Sequence, residues 1–72
     1  MNPLVNDTLL QMKYARIISL LAARLGISPQ RALDIFYQSA TYQHMSRQQY
    51  HLHNMSDHYL ADDIMLELRA RQ

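Results

Sequence analysis

The sequence predicts an all-α fold: a small bundle of three main helices with a short helical or irregular segment before the last one. Three observations carry that expectation. Apolar residues recur at steps of three and four in three separate segments. Each segment is bracketed by residue types that start or stop helices. No stretch alternates polar and apolar residues for long enough to read as a strand.

The first helix is expected over about residues 7–25. Asn6 or Asp7 can cap it, Leu10, Tyr14, Ile17, Ile18, Leu21 and Leu25 form its inner stripe, and Gly26 supplies the left-handed stop. The second is expected over 29–39: Ser28 caps it, and Pro29 sits at the first helical position, where a missing amide hydrogen costs nothing. Its inner stripe reads Ala32, Leu33, Phe36, Tyr37 and Ala40. After Ser39 the pattern weakens, with one more helical turn over Thr41 to Met45 and a polar, irregular run from Ser46 to Asn54. The last helix is expected over 57–70. Ser56 caps it, Asp57 stands at its positive end, Arg69 and Arg71 suit its negative end, and Leu60, Ala61, Ile64, Met65 and Leu68 face inward. Tyr42 and Tyr59 are read as buried, their hydroxyls tying down the segment between the last two helices, and Tyr50 as exposed.

These elements make one domain spanning residues 1–72, a length that leaves little room for both a core and a buried active site. The chain has no cysteine, so disulfides and thiolate zinc are closed to it, leaving self-association, a partner or tight packing as sources of stability. No basic region precedes an apolar stretch at the start. The longest apolar run, Ile17 to Ala23, is broken by Ser19 and too short to span a bilayer, which suggests a soluble, cytoplasmic protein.

The net charge is only +1, too small to mark a polyanion-binding domain, but the charges are unevenly placed. Lys13, Arg16, Arg24, Arg31 and Arg47 face only Asp7 and Asp34 in the first two thirds, whereas Asp57, Asp62, Asp63 and Glu67 gather in the last third ahead of Arg69 and Arg71. Such a split can join two parts of one domain or attract a second chain. Asp63 and Glu67 lie four apart on one helix face and repel unless a cation, such as Arg71 or a partner's, intervenes.

Leu9, Met12, Leu20, Ile35 and Leu66 fall outside the stripes. Either the helices are rotated so that these residues fill the same core, or they form a second surface buried against another chain. On the second reading they are candidate partner-binding residues, with Asp63 and Glu67 as a steering face, in a non-catalytic module that associates with itself or with another protein.

Two other stretches raise chemistry. LAARLGISPQRALDIF has the spacing of a helix-turn-helix, whose base-reading positions would be Gln30 and Arg31. Asp34 would repel phosphate there, the preceding helix is long for that motif, and few cations are in excess. DNA binding by residues 28–38 is therefore the alternative to the interaction module. In HLHNMSDH, His51, His53, Asp57 and His58 crowd together with His44 upstream, so His51, His53 and His58 are candidate metal ligands. No zincin-type helical pair accompanies them, and Asp57 fits a first-turn helix residue, so no metal or other cofactor is expected. There is no cysteine nucleophile and no glycine-rich phosphate loop, and the serines stand where caps and turns want a hydroxyl. No enzyme is expected.

The segments LLAARLGISPQRALDIFYQSATY and LHNMSDHYLADDI, in that order, resemble a family of small uncharacterised bacterial helical domains. The matching positions are Ala32, Leu33, Phe36, Ser39, Thr41, Tyr42, Ser56, Asp57, Tyr59, Asp63 and Ile64. The resemblance covers about Leu10 to Leu68 and implies no catalytic activity. It does imply encoding beside ADP-ribosyltransferase-like proteins, and hence an antitoxin-like accessory role.

Overall fold

A computed structural model describes the backbone of residues 3–46 and 55–71, with side chains from Thr8 onward. The described residues form four helices and no strand: α1 (Pro3–Leu25), α2 (Pro29–Gln38), α3 (Ala40–Ser46) and α4 (Asp57–Ala70). α1 packs against both α2 and α4, and α3 bridges α2 to α4.

The boundaries follow from local chemistry. Gly26, at φ 65°, reverses the chain after α1, and the Ile27 amide donates to the Ala22 carbonyl at 3.1 Å, the six-to-one bond of a Schellman stop. Ser28 and Ser56 are extended, and their hydroxyls accept from the Arg31 and Tyr59 amides, each at 3.1 Å. Ser39 works in both directions. Its hydroxyl donates to the Phe36 carbonyl at 2.6 Å, ending α2, and accepts from the Tyr42 amide at 3.0 Å, starting α3.

Two boundaries differ from the sequence expectation. α1 begins at Pro3, not near residue 7, so Asn6 and Asp7 lie within the helix and neither is its cap. Proline suits a first helical position, and no breaker follows it. α2 stops at Gln38 because Ser39 is extended, which hands Ala40 to α3. The helical turn expected over Thr41 to Met45 is α3. Residues 47–54, including Tyr50, lie outside the described residues.

The core is small. Tyr14, Ile17 and Leu21 from α1, Ala32 and Phe36 from α2, Met45 from α3, and Leu60, Ala61 and Ile64 from α4 are buried together. Tyr14, Phe36, Tyr37 and Tyr42 form an aromatic knot where α1, α2 and α3 meet, with contacting ring centroids 4.7–5.5 Å apart in tilted or edge-on pairs. Several side chains depart from their expected places. Leu33 and Tyr37 are exposed, because the buried line of α2 runs through Ala32 and Phe36 and each following residue is turned about 100° away. Tyr42 is half-buried as part of the knot, but Tyr59 is exposed, on the side of α4 away from Ile64.

Candidate functional site

α1 carries the cations and α4 the anions that join them. The Lys13 ammonium donates to Asp57 Oδ1 at 2.9 Å and the Arg16 guanidinium to Asp57 Oδ2 at 2.7 Å. Further along, Arg24 donates to Asp62 through one terminal nitrogen and to His58 Nδ1, at 2.8 Å, through the other. The Arg16 hydrogen bond, helped by Lys13, holds the Asp57 carboxyl below its ordinary range, against the opposing effect of burial. The uneven charge read from the sequence is thus spent largely inside the chain, fixing α4 against α1.

Glu67, expected beside Asp63 on a steering face, is engaged internally. Its carboxylate accepts from the Ala40 amide at 2.7 Å, from the Thr41 amide at 3.3 Å and from the Thr41 hydroxyl at 2.8 Å. It acts as a tertiary cap for α3, whose two N–H groups and the Thr41 hydroxyl stabilise its charge. Asp63 is half-buried on the next turn of the same helix.

The apolar surplus divides in two. Leu20 and Ile35 pack against the core, so for them a rotated helix is the better account. Leu9, Met12 and Leu66 are 58%, 54% and 59% exposed, and Tyr59 joins them at 51%. An open groove of about 430 Å³ runs between α1 and the start of α4, lined by Ala15, Arg16, Ser19, Leu20, Asp57 and His58. Its two strongest charges already pair with each other, and its walls are too open to desolvate a substrate.

Gln30 and Arg31 are exposed on the first turn of α2, with the exposed Asp34 one turn along. His51 and His53 lie outside the described residues, whereas His58 holds Arg24. Sequence reasoning missed Tyr59 and Asp62 as surface residues of interest. The signal was available, since Tyr59 and Leu66 are seven residues apart, two turns of one helix face. No protein-family model, curated protein or solved structure matches this chain.

Proposed function

We propose that this chain is a non-catalytic protein–protein interaction module, which associates with itself or docks on a larger bacterial protein as an antitoxin-like accessory. One observation carries the reading: Leu9, Met12, Tyr59 and Leu66 keep half or more of their surface in water on a domain whose core is already closed. Large aliphatic and aromatic groups in that position gain about 25 cal/mol for each Å² a partner covers. The described catalytic inventory points the same way. Asp57 and Glu67, the carboxylates with the most polar contacts, are committed to holding helices together. The module acts by covering a partner's surface, with no bond made or broken. Its cytoplasmic setting and its pairing with an ADP-ribosyltransferase-like protein rest on the resemblance and the composition alone.

Sedimentation equilibrium of the full chain tests self-association, and capture from a host extract before and after nuclease treatment tests docking. The expected result is a mass above that of one chain at micromolar concentration, or a larger protein that stays bound after nuclease. A solitary chain that retains no protein overturns the proposal. Material lost on nuclease treatment would favour the DNA-binding alternative through Gln30 and Arg31.

A further inference from the structure

The outer side of α4 carries a second pattern. Tyr59, Asp62, Leu66 and Arg69 follow one another at steps of three, four and three, which places them on one line along the helix. All four are exposed, and the buried Leu60, Ala61 and Ile64 occupy the opposite side. α1 takes the flank of Asp62, through Arg24, and α3 takes the flank of Glu67, so the line between them faces away from the rest of the molecule.

We infer that this line is the seam of a two-fold dimer, in which α4 packs antiparallel against α4 of a second copy of the chain. This rests on the interaction-module reading and names its surface. The charges choose both occupant and direction. In a parallel, in-register pair Asp62 would face Asp62 and Arg69 would face Arg69, and like charges in direct opposition repel. Running antiparallel, Asp62 of each copy comes level with Arg69 of the other, which makes two opposite-charge pairs. The same register brings the two Leu66 side chains together beside the two-fold axis, within a residue of each other along the helix. A two-fold interface must complement itself, and from Asp62 to Arg69 this line does so, with one apolar centre and one charge pair on either side. Asp62 remains open enough to serve both Arg24 and the second copy, with 64% of its side chain exposed.

The test uses charge exchange in the full chain. Arg69→Asp and Asp62→Arg should each weaken self-association by about tenfold or more, because each sets two like-charge pairs across the seam. Mixed in equal amounts, the two variants should form a heterodimer of near wild-type affinity, since both opposite-charge pairs are then restored, one as in the wild type and one with reversed sign. Far-UV circular dichroism of each variant checks that the helices persist. The absence of cysteine permits a second readout that does not depend on charge: Leu66→Cys should oxidise to a covalent dimer much faster than Asp34→Cys, an exposed control on α2. A wild-type chain that dimerises while the mixture fails to rescue and Leu66→Cys crosslinks no faster than the control overturns the seam but leaves the module reading standing. A wild-type chain that never dimerises overturns the seam and the self-association part of the module reading together.

Discussion

Asp57 shows how much one residue can carry. It stands in the first turn of α4, where a negative charge suits the helix dipole, and it binds two cations from α1 with only part of its side chain in water. Partial shielding lifts such a pair above the small contribution of a fully exposed one. Asp57→Asn, which keeps the shape and removes the charge, should cost about 1–2 kcal/mol at neutral pH. The pH dependence follows from the direction of the shift. Because the carboxyl is held below its ordinary value of 3.8 in the fold, its stabilising contribution is whole above the unfolded value and is lost as pH falls through the folded one. Denaturant melts at descending pH should therefore show the gap between wild type and Asp57→Asn close below about pH 5. A gap that stays constant into acid would mean that the charge is not its source. Glu67 is the contrasting residue: its ionised oxygens are spent on the amides and hydroxyl of α3, so its contribution goes to holding a seven-residue helix that has little stability of its own.

At the scale of the element, what could be read from the sequence was what is local. Ser28, Ser56 and Gly26 do their work within three or four residues, and each starts or stops a helix where its residue type says it should. The rotation of a helix about its axis is set by its neighbours, so Leu33, Tyr37 and Tyr59 turned outward while Ile35 and Leu20 turned in. The Glu67 cap spans 26 and 27 residues, a separation over which spacing rules say nothing. Asp62 and Asp57 were legible as acidic residues, but their partners on α1 were not, because only the fold decides which turn of one helix meets which turn of another. The one glycine offers a clean test of the local part. A Cβ at Gly26 meets no atom within 4 Å, so Gly26→Ala would add no clash and would cost only the left-handed backbone. That penalty is about 1–2 kcal/mol, which lowers the melting temperature by about 4–8 °C per kcal/mol in a domain of this size. Gly26→Asn should lose less, since asparagine tolerates that region better. Equal losses for the two would place the strain elsewhere than in φ.

For the whole molecule, the small core and the exposed line on α4 are two sides of one constraint. A chain this short hides too little surface to be very stable alone, and the residues that could have enlarged its core point outward. Phe36→Ala, which empties the centre of the aromatic knot, should cost about 3–5 kcal/mol and leave little folded protein. Leu66→Glu should behave in the opposite way. As an exposed substitution on a single chain it should shift intrinsic stability by no more than about 0.5 kcal/mol, yet it sets two carboxylates against each other at the proposed two-fold axis. Association makes stability depend on concentration, because anything that binds only the folded form raises the melting temperature by mass action. Thermal melts over about a hundredfold range of concentration should thus show a rising midpoint for the wild-type chain and a flat one for Leu66→Glu, the two curves converging at the dilute end. Convergence is the decisive feature: it says that the variant has lost the partner's contribution and none of its own fold. If the wild-type midpoint is flat as well, the second copy contributes nothing to stability, and the single chain's own core must hold the domain without help.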